Sequence, residues 1–172
     1  MCKMTLPEAG EAAAFLKPEK KCLKKYIGNS LRESMWQAME EQRITCGVID
    51  CAKLLKCYYE NVMLCVLPEA GSEEVSVHIQ HTLIEAFCWE NDIRILKVKN
   101  QLAVGEILTG RKGPCVPDNN NIEDQVTLTD TSCVMIEYPV KRMSMEDEHV
   151  IEFHDDVMLN DVYPKPVIEL PI

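Results

Sequence analysis

The chain has 172 residues, of which 18 are basic and 28 acidic, for a formal net charge of −10. That length suits one domain plus a tail and excludes two large lobes, and 47% hydrophobic residues are too many for a disordered chain. The acidic balance argues against broad binding of phosphate backbones. No apolar run nears the roughly 18 residues of a membrane span, so the expectation is a soluble, intracellular chain without a membrane partner.

Residues 1–28 read as a flexible basic leader, with Pro7, Gly10, Pro18 and Gly28 around a cluster of Lys17, Lys20, Lys21, Lys24 and Lys25. The cluster is either an import or acidic-partner patch or a solvated tail. A single domain is expected over residues 29–172. Asn29 and Ser30 supply capping side chains, and Leu31, Met35, Ala38 and Met39 then recur at helical spacing. A short strand over 42–46, a helix over 48–57 and a buried strand over 61–67 follow, the last stopped by Pro68. After an acidic turn comes a long helix from about residue 74 to 91, then a strand over 93–98 and a helix over 100–108. Residues 109–131 are rich in Gly, Pro, Asn and Asp and are expected to form a long mobile loop. A strand over 133–138, an acidic helix over 144–159 capped by Ser144, and a final strand over 166–170 complete the order. Short continuous apolar strands alternating with helices imply a sheet covered on both faces.

The chain carries nine cysteines. They are odd in number and include no C-x-x-C pair, so neither a disulfide framework nor a zinc knuckle is written here. Cys65 and Cys88 sit inside apolar runs, where a reduced thiol behaves as a small hydrophobe. His78 and His81, three apart with Glu85 four residues on, have a spacing seen in metal sites, but the simpler expectation is a solvated polar strip. No Gly-rich phosphate loop and no nucleophile elbow is present. Nothing reads as an active site, and neither a cofactor nor a metal is expected.

The segment 75–91 has more apolar surface than a helix on one side of a small sheet requires. At about 100° per residue, Val75, Ile79, Leu83, Ala86, Phe87 and Trp89 share one arc, while Val77, Ile84 and Cys88 fall on a nearly opposite one. Two stripes mean burial on both sides or a spare face offered to another chain. Self-association is the expectation; the alternative is that the long loop or the acidic helix folds over the spare face.

The runs ITCGVIDCAKLLKC (44–57), NVMLCVLPEAG (61–71) and VHIQHTLIEAFCWENDIRILKV (77–98) strongly resemble the growth-arrest and DNA-damage-inducible family, abbreviated Gadd. The resemblance continues more loosely through CVMIEYP and YPKPVIELP. It implies an α/β fold of the ribosomal-protein type, a three-layer α/β/α sandwich with a mixed four- to five-stranded sheet. It also implies a non-enzymatic stress adaptor that binds and activates a MAP kinase kinase kinase upstream of the stress-activated kinases. Further partners so implied are the replication sliding clamp, a cyclin-dependent kinase and its inhibitor, and a second copy of the chain, with nucleus and cytoplasm as its places of action. By the same resemblance Leu83, Ala86, Phe87 and Cys88 belong to the self-association surface, to which the helical arc adds Val75 and Ile79, and the acidic partner-binding loop is Glu69, Glu73 and Glu74. The alternative is an RNA- or ribonucleoprotein-binding module on the same fold. RNA-binding relatives carry Gly-x-Asn-Glu where this chain has Gly47, Val48, Ile49 and Asp50, and an isoleucine offers neither donor nor acceptor to a base edge.

Overall fold

The computed structural model describes residues 20–69, 74–109, 130–161 and 163–171, the first six as helical backbone. Helix α1 (Lys20–Glu40) begins nine residues before the capping residues proposed from sequence. The boundary at residue 28 is therefore corrected. Asn29 and Ser30 lie inside the helix because Ile27, Leu31, Met35 and Ala38 form one continuous buried stripe, and burying that stripe outweighs the local capping preference. The helix closes where Gln42 adopts a positive φ of 55° and the Arg43 amide donates to the Ala38 carbonyl at 2.9 Å, a left-handed cap. Lys17 and residues 110–129 of the expected mobile loop lie outside the described residues.

Next come β1 (Ile44–Cys46), α2 (Val48–Tyr58) with a 3₁₀ turn over Tyr59–Asn61, β2 (Val62–Pro68), α3 (Val75–Glu90), β3 (Arg94–Val98), α4 (Gln101–Thr109), β4 (Val134–Glu137) and α5 (Met145–Phe153). The strands form one mixed sheet in the order β1-β4-β2-β3. β4 pairs antiparallel with β1 and β2, and β3 runs parallel to β2, with Leu64 opposite Arg94 and Val66 opposite Leu96. Side-chain alternation along the strands sorts the core into two clusters. Leu64, Val66, Leu96, Val134 and Ile136 pack under α1, α4 and α5. Cys65, Leu67, Ile95, Cys133 and Met135 pack under α2 and α3. A register shift between Val62 and Leu64 is a bulge, and it lets Met63 join Leu64 on the first face. Every residue of β2 is buried, as a strand with helices on both faces requires. The architecture is the expected three-layer α/β/α sandwich.

Two elements depart from expectation near the C-terminus. The acidic helix is α-helical only through Phe153 and continues as a π turn over His154–Met158. The final strand reduces to a parallel bridge between Ile168 and Val98. The acidic face of α5 is also not wholly a surface. Ser144 caps the helix by accepting from the Asp147 amide at 3.1 Å, but the Asp147 side chain is fully buried. There it receives Arg43 Nη2 at 2.8 Å and the Ser34 hydroxyl. Arg43 Nη1 donates in turn to the Glu137 carbonyl at 3.1 Å, so one ion pair ties α1, α5 and the end of β4 together. Gly28 is required where α1 meets the C-terminal segment, because a Cβ there would run into the Glu169 carbonyl. Among the described residues no helix is long and apolar enough to cross a membrane.

Candidate interaction surface

Helix α3 lies on the sheet face shared with α2. Ile84 and Cys88 reach the core cluster beneath it, and His81 is buried beside them. Its C-terminus is closed by Asn91, whose amide donates to the Phe87 carbonyl at 3.1 Å and whose Nδ2 donates to the same oxygen at 2.8 Å. Asp92 then takes a positive φ of 55°, and the Ile93 amide donates to the Cys88 carbonyl at 2.9 Å. These bonds fix the rotation of the helix about its axis, and with it the residues left outside.

Outside lies an apolar row. Val75 is 68% exposed, Ile79 57%, Leu83 66% and Trp89 63%, with Ala86 also exposed. At about 100° per residue Val75, Ala86, Ile79 and Leu83 fall within about 80° of arc, on the side opposite Ile84 and Cys88. Phe87, half-buried at the margin of the row, meets Tyr59 edge-on with ring centroids 6.1 Å apart and an interplanar angle of 78°. That contact joins the row to the end of α2, where Tyr58 and Tyr59 are exposed too. Four large apolar side chains in one stripe exceed the scattered hydrophobes of an ordinary surface. The small Ala86 among them allows a facing helix close approach.

Two side chains assigned from sequence lie elsewhere. Cys88 has no exposed surface, so it belongs to the inner stripe with Ile84 and contacts no partner directly; it sits one residue past Phe87, and about 100° of rotation carries it inward. His81 is likewise not part of a solvated strip. Its Nε2 lies 2.6 Å from the Ser132 carbonyl oxygen, and because a carbonyl only accepts, that nitrogen carries the proton. His81 thereby latches α3 to the chain entering β4. His78 remains exposed, and Glu85 pairs with Lys97 at 2.8 Å, so the three do not converge. Of the acidic loop, Glu69 and Glu74 are exposed at the two ends of the β2–α3 connection, and Glu73 lies outside the described residues.

Four thiols are buried in the half of the core under α2 and α3, while Cys46 is half-buried and Cys57 exposed. Cys51, Cys65, Cys88 and Cys133 have no exposed surface. Cys51 Sγ donates to the Thr45 and Cys133 carbonyls at 3.4 and 3.6 Å. Hydrogen bonding to Cys133 and burial push the Cys51 and Cys65 thiols far above their ordinary range, and Cys133, which accepts from both, is the one pulled down. Sealed from solvent, these sulfurs meet no substrate. Among the described residues no group of three or more His, Cys, Asp or Glu side chains is arranged to hold a metal ion.

The start of α2, where the resemblance places Gly-x-Asn-Glu in RNA-binding relatives, has different chemistry here. Gly47 enters it with φ of 92°. Asp130 then presents one carboxylate oxygen to the Val48 amide at 3.4 Å and the other to the Ser132 amide at 3.0 Å. Burial raises the Asp130 carboxyl, but hydrogen bonds from Ser132 and Val48 outweigh it and hold the group below its usual range. A fixed anion at a helix N-terminus occupies the place a phosphate would take. Beside it Ile49 is exposed and apolar, while Asp50 pairs with Lys53 at 2.9 Å.

Comparison with known proteins places the chain in a family. Residues 29–120 match the ribosomal protein L7Ae/L30e/S12e/Gadd45 family. The chain is 43% identical over 84 residues to growth arrest and DNA damage-inducible protein GADD45 alpha of Homo sapiens, a stretch covering 48% of this chain and 51% of that protein. It is 35% identical over 115 residues to GADD45 alpha of Rattus norvegicus, covering 66% and 68%. With GADD45 gamma of Homo sapiens it shares 37% identity over 83 residues, covering 47% and 52%. The match thus spans about half the length of most of these relatives. The chain belongs to the ribosomal protein L7Ae/L30e/S12e/Gadd45 family, among its growth-arrest and DNA-damage-inducible members.

Proposed function

We propose that the chain is a non-enzymatic adaptor of the stress response, which binds and activates a MAP kinase kinase kinase upstream of the stress-activated kinases and so influences growth arrest and apoptosis. The observation that carries this reading is the exposed apolar row on α3, a surface made for docking and of no use to catalysis. In this reading Val75, Ile79, Leu83, Ala86 and Phe87 form the self-association face, and the acidic residues Glu69, Glu73 and Glu74 meet the kinase. Binding favours the open form of the kinase's regulatory segment and shifts its population, and pairing of two adaptors raises the local concentration of two kinases. The replication sliding clamp, a cyclin-dependent kinase and its inhibitor are further partners in the same reading, and it places the chain in nucleus and cytoplasm. The carboxylate at the start of α2 favours this adaptor over an RNA-binding module.

The test is reconstitution. The full chain is titrated onto a purified, autoinhibited MAP kinase kinase kinase, and phosphorylation of the downstream kinase is followed. Saturable stimulation that is weakened by Glu69→Lys with Glu74→Lys, and also by Leu83→Glu, is expected. A kinase indifferent to the wild-type chain at every concentration would sink the proposal.

A further inference from the structure

Ser144, the N-cap of α5, stands between two charge patterns of opposite sign. Lys141 and Arg142 lie three and two residues before it, and Glu146, Asp147 and Glu148 lie two to four residues after it. A serine kinase with an acidic substrate groove reads the first pattern and one with a basic groove reads the second, because each selects charges complementary to its own. Local sequence does not choose between them. The packed chain does.

Folding takes the acidic pattern apart. Asp147 is fully buried, with its carboxylate on Arg43 Nη2 at 2.8 Å and on the Ser34 hydroxyl. Glu146 accepts from Gln37 Nε2 at 3.1 Å. Hydrogen bonds from Gln37, from its own amide and from Ser144 hold the Glu146 carboxyl below its usual range. Of the three acids only Glu148 is exposed. The basic pattern is intact: Lys141 and Arg142 are both exposed, and among the described residues neither forms an ion pair. The segment that carries them is also open to a groove. Residues 138–144 join β4 to α5 without helix or strand, and among the described residues the main chain of 140–143 makes no hydrogen bond. Val140 and Met145 are exposed on either side of the basic pair, while Met143 packs against the core. Ser144 is extended, with φ of −79° and ψ of 162°, and its oxygen accepts from the Asp147 amide at 3.1 Å. Half-buried, it comes free when the segment lifts at Met143, a local opening that breaks no main-chain hydrogen bond of residues 140–143.

We propose that Ser144 is a phosphorylation site for a serine kinase with an acidic substrate groove, which Lys141 and Arg142 anchor. The Ser144 oxygen attacks the γ-phosphorus of Mg–ATP, the bond from that phosphorus to the β–γ bridging oxygen breaks, ADP leaves, and the hydroxyl proton passes to the kinase's catalytic aspartate. A phosphate at a helix N-terminus is favoured by the free amides and the dipole. Its charge also faces the Glu146 carboxylate, which loses its bond from Ser144 and is driven off Gln37. The site is separate from the α3 row and stands independently of the adaptor reading, in which this chain acts on a kinase and not the reverse. The test incubates the full-length folded chain with Mg–ATP and one of two probes: the catalytic subunit of cyclic-AMP-dependent protein kinase, whose groove is acidic, or casein kinase II, whose groove is basic. Fragmentation mass spectrometry should place a phosphate from the first probe on Ser144, with the second at least about tenfold slower there. Lys141→Ala with Arg142→Ala, both surface changes, should lower kcat/KM of the first probe at least about tenfold. Ser144→Asn, which keeps a capping oxygen, should stay folded and lose that phosphate. The Gln37 side-chain amide resonances should shift on modification. No phosphate on Ser144, equal or faster transfer by casein kinase II, an unaltered kcat/KM in the double variant, or unmoved Gln37 resonances would each overturn the proposal.

Discussion

Replacing Leu83 with glutamate separates folding from association, because the side chain is two-thirds exposed in the single chain. Its removal takes nothing from the core beneath α3, which is held by Ile84, Cys88 and the His81 latch. The expected change in folding stability is within about 0.5 kcal/mol. At a two-fold interface the effect is doubled, since the same patch is presented by both copies. Loss of a central apolar anchor costs about 2 kcal/mol per copy. Two copies give about 4 kcal/mol, or roughly a thousandfold in the dimer dissociation constant, before repulsion between the two new carboxylates is counted. Sedimentation equilibrium over a dilution series measures that constant, and urea unfolding of the same samples measures the fold. Ala86→Glu should behave alike, whereas Ile84→Glu should fail to fold, because it turns a charge into the sheet. A Leu83→Glu chain that stays folded while its dissociation constant moves less than tenfold would refute the assignment of this face, as would a wild-type chain that is monomeric throughout the series.

Three further outcomes test the interior. Asp147→Ala takes the buried carboxylate from Arg43 Nη2 but leaves Glu41 on its Nε, so it should cost about 3 kcal/mol by urea unfolding, the low end for breaking a buried pair; a loss below about 1 kcal/mol would mean the pair is idle. Gly28→Ala forces the Glu169 carbonyl aside, and the expected cost of about 1–3 kcal/mol should come with faster hydrogen exchange at the Ile168 and Lys99 amides; normal exchange there would contradict the tight fit. His154 is held neutral mainly by burial, with Asp155 opposing and Arg94 and Lys165 assisting, so its folded pKa lies below the ordinary 6.5. The unfolded chain then binds the proton more readily, and the stability so contributed is present above pH 6.5 and lost as pH falls through the folded value. Thermal unfolding at successive pH values should show that decline, and His154→Gln should remove part of it; an unchanged slope in the variant would exclude the histidine as its source.

Much of the fold was legible in the residues because it follows from period and punctuation. The apolar runs of β2 and β4 end at Pro68 and just before Pro139, and helix α3 matched its expected span to within a residue at each end. Its two-stripe pattern also foretold an inner and an outer face, since a rigid period of 3.6 leaves no other arrangement. The sides of the stripes were less legible than their existence. Cys88 was assigned outward by the resemblance, against its helical position beside Ile84, and is buried; angle along a helix shows which residues share a face but not which face meets the sheet. The same limit concealed the inward turn of His81 onto Ser132.

Long-range partners were beyond any local pattern. Asp147 lies 104 residues from Arg43 and 113 from Ser34, and it meets them only because α1 and α5 pack on one face of the sheet. Nothing local in an acidic helix marks Asp147 for burial. The early start of α1 has the same cause. The docked stripe begins at Ile27, and a C-terminal segment lies across Gly28, a contact that leaves no local signal. What the sequence by itself determined is the order of elements, the apolar excess of α3 and the family. Which groups are inward and which thiols are sealed were decided only when distant segments came together, because burial and pairing are properties of the packed chain.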